Sequence, residues 1–240
     1  MSAARETDPQ LVVALDFGTR KEALDMARKV AGAAPWVKVG LELFAAAGPG
    51  VISELKAMNL KVFLDLKYFD IPNTVRGAVR SASALGVDMV TLHALGGADM
   101  AAAARVGRDE GVAAGGSAPI LLAVTVLTSM GPGDLPVAEG DDPSALALRL
   151  ARLARDARLD GVVCSGREVA AIKESCGREF LALTPGIRPA GSADDQRRVV
   201  TPARAVADGS NFLVVGRPIT RAADPAYAAK DICAEMKASL

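Results

Sequence analysis

The sequence is poor in several residue types, and each scarcity argues against a class of protein. It has a single histidine and 4% aromatic residues, and its three cysteines are widely separated at Cys164, Cys176 and Cys233. The cysteines form no CxxC pattern and, with one histidine in the chain, no zinc-like cluster. An odd number of scattered cysteines favours reduced thiols, which predicts a cytoplasmic protein.

The chain also lacks an excess of charge and lacks long apolar runs. Lysine plus arginine equals aspartate plus glutamate at 28 each, and no basic run alternates with aromatic residues. We therefore expect no nucleic-acid partner. The longest apolar runs, such as residues 119–127, are far shorter than a membrane span of about 20 residues. The polar first ten residues show no apolar segment of a secretory signal.

What the sequence does have is aliphatic residues in short runs that alternate with amphipathic helical stretches. Half of its residues are hydrophobic. The predicted strands are 11–15, 36–39, 61–66, 87–92, 119–126, 161–164, 180–183 and 212–215. The predicted helices are 21–31, 51–58, 73–85, 98–109, 143–157, 168–174 and 224–237.

This alternation continues without a linker or a change of composition, and it predicts one fold class. We expect a single (β/α)8 TIM barrel of the α/β class that forms one domain over residues 1–240. An open doubly wound sheet is the alternative. It is weakened because no GxGxxG follows the first strand, where a dinucleotide fold would need it.

The stretch KVFLDLKYFDIPNT, residues 61–74, carries the strongest chemical signal. Strand side chains alternate between faces, so Asp65 and Lys67 should project from one face, and Asp70 follows at the strand end. Ionised groups in a buried strand are costly unless they are paired, so two carboxylates around one ammonium indicate a site. The alternative is a structural ion pair with Asp70 as a helix N-cap and Pro72 in the first turn.

Other polar residues fall at the carboxyl ends of the predicted strands, where barrels place their chemistry. They are Asp16, Lys38, His93, Thr125, Thr128, Ser165, Thr184, Gly216 and Arg217. The pair Gly216-Arg217 follows the eighth strand, where barrels commonly bind phosphate through backbone N–H groups and a charged donor. A turn glycine and a surface arginine remain the alternative. The long polar segment 184–202 is typical of a loop that closes over a ligand.

Seven motifs in order resemble one known family over essentially the whole chain. They are VALD (13–16), VKVG (37–40), DLKYFDIPNT (65–74), TLHALGG (91–97), VTVLTSM (124–130), TPGIRP (184–189) and VVGRPIT (214–220). The family is orotidine 5′-phosphate decarboxylase. The resemblance implies decarboxylation of orotidine 5′-phosphate to UMP and CO2 in pyrimidine synthesis, without a metal or cofactor, by a homodimer with shared active sites.

The resemblance also implies roles for matching residues. Lys38, Asp65, Lys67 and Asp70 would form a charged catalytic network, with Asp70 reaching across the dimer interface and Lys67 protonating C6 of the pyrimidine. The remaining matches would bind substrate, at the ribose, at the base and phosphate, or in the neighbouring subunit's site. They are Asp16 and Lys38 for the ribose, Thr128 and Gln196 for base and phosphate, Arg188, Gly216 and Arg217 for the phosphate, and Ile71 and Thr74 for the neighbour.

Two rival functions stay open at this point. A Mg²⁺-dependent phosphosugar enzyme on the same barrel, such as 3-keto-gulonate-6-phosphate decarboxylase or hexulose-phosphate synthase, needs a further carboxylate near the end of strand two. That region offers Lys38, although Glu42 is close in sequence. A non-catalytic nucleotide-phosphate binder should have lost at least one of the four network residues, and all four are present.

Overall fold

Short runs of aliphatic residues form eight parallel strands that close into a barrel. The computed structural model describes residues 8–134, 142–188 and 200–240. The strands are β1 (Gln10–Ala14), β2 (Trp36–Gly40), β3 (Lys61–Tyr68), β4 (Met89–His93), β5 (Ile120–Val124), β6 (Gly161–Val163), β7 (Leu181–Thr184) and β8 (Phe212–Val215). Each strand pairs with the next one in parallel, and β8 pairs with β1. The predicted (β/α)8 barrel is confirmed.

Helices follow the strands and cover the outside of the barrel. They are α1 (Arg20–Val30), α2 (Leu41–Ala47), α3 (Gly50–Ala57), α4 (Pro72–Ala84), α5 (Gly97–Ala113), α6 (Pro143–Asp156), α7 (Val169–Cys176), α8 (Pro202–Ala207), α9 (Arg217–Thr220) and α10 (Pro225–Lys237). Proline in the first turn starts α4, α6, α8 and α10, because its missing N–H would have no partner there. No helix within the described ranges is long and apolar enough to cross a membrane.

The predicted elements differ from the structure mainly at their ends. Strand β3 runs two residues further than predicted, to Tyr68, whereas β4 begins at Met89 rather than at residue 87. Helices α2 and α8 were absent from the prediction, because seven and six residues are too few to display a helical period. Half of the predicted loop 129–142 and most of the segment 184–202 lie outside the described residues.

Two apolar layers result from the alternation of side chains along the strands. The larger layer lies between the sheet and the helices. The smaller one fills the inside of the barrel and consists of Val12, Ala14, Trp36, Phe63, Met89, Leu122, Leu183, Phe212 and Val214. Polar residues that lie further towards the carboxyl ends of the same strands therefore contact this inner apolar layer on one side.

Helices α4 and α5 pack against each other unusually closely. A Cβ added to Gly107 of α5 would lie 2.2 Å from the backbone oxygen of Arg76 in α4. Arg76 also forms an ion pair with Glu110, one turn along α5. The pair of helices behind β3 and β4 is thus held by backbone contact that only glycine permits.

Candidate active site

Strand β2 brings a buried lysine to the carboxyl end of the barrel. Lys38 follows Trp36 on the inner face of β2 and is 8% exposed. Its Nζ donates a hydrogen bond of 2.7 Å to Oδ1 of Asp16, which follows β1. Gly40 lies two residues further on the same face, where a Cβ would be 2.8 Å from Lys38 Nζ. The glycine of VKVG therefore leaves room for the ammonium.

Strand β3 supplies the second lysine through an irregular backbone. Leu64 pairs with Val90 and Tyr68 pairs with Leu92, so β3 carries two more residues than β4 over this interval. Lys67 lies within the irregularity and has φ 50°. The left-handed conformation costs a non-glycine residue roughly 1–2 kcal/mol, so the surrounding structure must hold it.

The irregular backbone brings the predicted pair together. Lys67 Nζ donates to Asp65 Oδ2 at 2.8 Å, and the same oxygen lies 3.9 Å from Lys38 Nζ. The structure thus joins Asp16, Lys38, Asp65 and Lys67 in a chain of alternating charges. The side chains of Asp65 and Lys67 contact each other, as the alternation of side chains along a strand predicted. The backbone between them, however, belongs to a bulge and not to a regular strand.

Strand β4 contributes two residues next to this array. Thr91 is fully buried, donates to Asp65 Oδ1 at 2.9 Å and accepts from the Lys67 backbone N–H at 3.0 Å. His93 lies two residues further, and burial lowers its pKa, with the Lys67 ammonium lowering it further against an opposing effect of Asp65. Thr91 was not among the predicted site residues, although it shares the inner face of β4 with Met89 and His93.

Asp70 lies apart from the array within this chain. Its Oδ1 accepts the backbone N–H of Ile71 at 2.6 Å, and it forms an ion pair with no other residue in the described ranges. Ile71, not Asp70, is the N-cap of α4, so the alternative of Asp70 as N-cap is wrong. Ile71 is 67% exposed, and Thr74 in the first turn of α4 is exposed as well.

A cavity of about 200 Å³ opens beside the lysines. Its polar side consists of Lys38, Asp65, Lys67 and Thr128. Its other side is apolar, and the residues that form it are Phe63, Val124, Val126, Leu127, Val163, Cys164, Leu183, Pro185 and Val214. A ligand bound here would meet two ammonium groups and a carboxylate together with a largely hydrocarbon lining.

A larger, open depression of about 1030 Å³ lies at the opposite end of the barrel and contains none of the predicted site residues. Its half-buried Lys173 donates to three oxygen atoms, those of Arg178, Phe180 and Asn211. Because these bonds satisfy the ammonium, we assign no chemistry to that end.

The predicted phosphate residues lie after β7 and β8. Gly216 follows β8 directly and precedes Arg217, the first residue of the short helix α9. Arg188 is 7% exposed, and its backbone N–H donates to Val200 O at 3.0 Å. This bond ties the two described ends of the loop between β7 and α8 together. Gln196 falls within that loop and outside the described residues.

The carboxylate that the magnesium-dependent rival would use is exposed. Glu42 lies in the first turn of α2, and its Oε1 would be 3.6 Å from a Cβ placed on Gly18. Within the described ranges, no three His, Cys, Asp or Glu side chains group as ligands for a metal ion.

Comparison with known proteins places the chain in a family. The family model described as "Orotidine 5'-phosphate decarboxylase / HUMPS family" matches residues 9–232. Orotidine 5′-phosphate decarboxylase of Maridesulfovibrio salexigens is 63% identical over 227 residues, which is 95% of this chain and 98% of that protein. The Nitratidesulfovibrio vulgaris enzyme of the same name is 58% identical over 231 residues, with the same coverage.

Solved structures agree with the sequence comparison. The crystal structure of orotidine 5′-phosphate decarboxylase from Lactobacillus acidophilus superposes with a TM-score of 0.84 at 41% identity, covering 95% of this chain and 99% of that one. The corresponding structure from Pyrococcus horikoshii OT3 gives a TM-score of 0.77 at 27% identity. The match therefore extends over the whole barrel, and this chain belongs to the orotidine 5′-phosphate decarboxylase / HUMPS family.

Proposed function

We propose that the chain decarboxylates orotidine 5′-phosphate to UMP and CO2 in pyrimidine synthesis, without a metal or organic cofactor. The observation that carries the proposal is the Lys67 ammonium, held 2.8 Å from Asp65 at the mouth of the half-apolar cavity. Relatives at up to 63% identity are named for this reaction. The chain would act as one barrel domain over residues 1–240 and in the cytoplasm, with its three cysteines as free thiols.

Lys67 suits the electronic demand of the reaction. When the C6–carboxylate bond breaks, CO2 leaves and the electron pair remains on a ring carbon that no adjacent carbonyl delocalises well. A fixed ammonium stabilises that charge as it develops, most strongly where apolar walls exclude water. Lys67 then donates a proton to C6, which gives UMP, and recovers a proton from solvent.

Asp65 and Lys38 hold the ammonium in place before the substrate binds. Asp65 Oδ2 accepts from Lys67 at 2.8 Å and lies 3.9 Å from Lys38, which pairs in turn with Asp16. Such a chain places a carboxylate between the two lysines, which offsets the repulsion between them and part of their cost of desolvation. Asp65 would also lie near the substrate carboxylate, whose loss removes a repulsion between like charges.

The remaining predicted residues would bind the nucleotide around the reacting ring. Asp16 and Lys38 would contact the ribose hydroxyls, and Thr128, which lines the cavity, would face the base. Arg217 with the Gly216 N–H, together with Arg188, would hold the phosphate. The loop that includes Gln196 would close over base and phosphate, so that binding energy at the phosphate assembles the site.

We further propose that the working unit is a homodimer that shares its active sites. Large apolar side chains are exposed after four consecutive strands, β2 to β5, at the catalytic end; they are Leu41, Phe69, Ile71, Leu95 and Leu127. Several large apolar side chains exposed at one end of a barrel are typical of an interface. Asp70, which forms no ion pair with a described residue of its own chain, lies among these side chains and would complete the neighbour's network, with Ile71 and Thr74 beside it.

The experiment that tests this function uses the wild-type protein. Purified protein is incubated with orotidine 5′-phosphate in EDTA, and the ultraviolet change is followed while UMP is identified as product. We expect rapid conversion in chelator. Absence of turnover in EDTA, combined with Mg²⁺-dependent activity on a keto-sugar phosphate, would contradict the proposal and make Glu42 the first residue to substitute. Absence of both activities would leave only nucleotide binding.

A further inference from the structure

We propose that Thr91 is a positioning residue whose hydroxyl fixes the geometry of both Asp65 and Lys67. The inference rests on the proposed function. Thr91 lies on the inner face of β4, fully buried and in register with Leu122 of β5. Its Oγ1 is the one atom in the described site that bonds to both members of the catalytic pair.

The first bond holds the irregular backbone. Between Leu64 and Tyr68 the regular ladder from β3 to β4 is interrupted, and Lys67 takes a positive φ of 50°. The Lys67 N–H then donates to the Thr91 hydroxyl at 3.0 Å instead of to a strand carbonyl. A buried N–H without an acceptor is costly, so the hydroxyl makes this conformation of Lys67 tolerable.

The second bond leaves the two carboxylate oxygens of Asp65 with different partners. Thr91 donates its single proton to Oδ1 at 2.9 Å, whereas Oδ2 faces Lys67 at 2.8 Å and Lys38 at 3.9 Å. With Oδ1 fixed on β4, the carboxyl plane cannot rotate freely, and Oδ2 is presented to both lysines. The Thr91 hydroxyl therefore orients the carboxylate of Asp65 and holds the backbone of Lys67.

Only a hydroxyl can perform both tasks from this position. The donor and the acceptor must be the same atom, because Oγ1 is bonded on both sides within 3.0 Å. Valine has the same shape without either function, and serine keeps the hydroxyl without the methyl group. Val differs from Thr, and Ala differs from Ser, essentially in the absence of the hydroxyl, so these are the two pairs of variants to compare.

The test compares Thr91→Val with wild type, and Thr91→Ala with Thr91→Ser. We expect Val and Ala to lower kcat about 10- to 100-fold, the range for lost supporting hydrogen bonds and misplaced reacting groups. The KM should change little, and Ser should retain a kcat close to wild type. If Val does not fold, the Ser–Ala pair decides the matter; failure of both hydroxyl-free variants to fold would overturn the inference in favour of a folding role.

A second measurement separates positioning from general damage to the pocket. Affinity is compared for UMP and for a uridylate with an anionic oxygen at C6, which resembles the charge that Lys67 meets. We expect the hydroxyl-free variants to bind UMP normally and the C6 oxyanion more weakly. Equal loss for both nucleotides, or an unchanged kcat, would overturn the inference. An inactive wild type would instead contradict the proposed function, so the two failures are distinguishable.

Discussion

At the scale of single residues, the site consists of charges that hold one another in place. Lys38 reaches Asp16 and Asp65, and Asp65 reaches Lys67. Each partly buried charge has a partner of opposite sign, which offsets much of its cost of desolvation. The array is therefore assembled before substrate arrives, as electrostatic stabilisation of a short-lived carbanion requires.

Arg217 is expected to act on the phosphate rather than on C6. Arg217→Ala should raise the KM for orotidine 5′-phosphate about 10- to 100-fold, the value of a charged hydrogen bond, and should change kcat less. The KM for orotidine, which lacks the phosphate, should be the same in variant and wild type. Steady-state kinetics with both substrates provide the measurement.

Arg221→Ala is the matched control, since Arg221 is an exposed arginine that caps the other end of α9. It should leave both Michaelis constants unchanged. If Arg217→Ala also left the KM for the phosphorylated substrate unchanged, the assignment of the phosphate to Arg217 would fail.

The residues of the array differ in how far the sequence could predict them. Lys38, Asp65 and Lys67 were predictable as neighbours because they lie at the ends of adjacent strands. Thr91 was not, because its role depends on a bulge in β3 at which the sequence shows a lysine rather than the glycine that usually marks a positive φ. The proposed partner of Asp70 would lie on a second chain, which the sequence of one chain does not reveal.

At the scale of elements, the strands were predictable and the shortest helices were not. Aliphatic runs bounded by turn residues placed all eight strands within a few residues of their observed bounds. Helix α2, LELFAAA, follows β2 directly after Gly40, without a side-chain cap. Nothing local marks its start, and its formation depends on packing against the barrel.

The contact between α4 and α5 predicts opposite effects for two glycines. Gly107→Ala should lower the free energy of unfolding by about 1–3 kcal/mol, because its Cβ would meet the Arg76 backbone oxygen at 2.2 Å. Gly77→Ala should raise it by about 0.5–1 kcal/mol, because Gly77 lies inside α4 with nothing within 4 Å of an added Cβ. Urea unfolding at one protein concentration measures both, and a Gly107→Ala protein as stable as wild type would contradict the close packing.

At the scale of the whole molecule, the proposed active site needs residues from two chains. A heterodimer of Lys67→Ala with Asp70→Asn, purified with two tags, should have about half the activity of the wild-type dimer. One of its sites would combine an intact Lys67 with the partner's intact Asp70. Each variant alone should be nearly inactive.

The reciprocal heterodimer is the control. Wild type paired with a chain that carries both substitutions should be inactive, because neither site then has both groups. If Asp70 acted within its own chain, the two results would be exchanged, and the shared site would be wrong.

One rate measurement tests whether Lys67 stabilises the carbanion and protonates C6. UMP formation is measured at saturating orotidine 5′-phosphate in EDTA for wild type, Lys67→Ala and the control Lys61→Ala. Lys61 begins the same strand at the opposite end of the barrel, 5.3 Å from the Trp36 ring. We predict that Lys67→Ala loses at least about 10³-fold in kcat while UMP still binds, and that Lys61→Ala stays close to wild type. A folded Lys67→Ala protein that formed UMP at the wild-type rate would contradict the account.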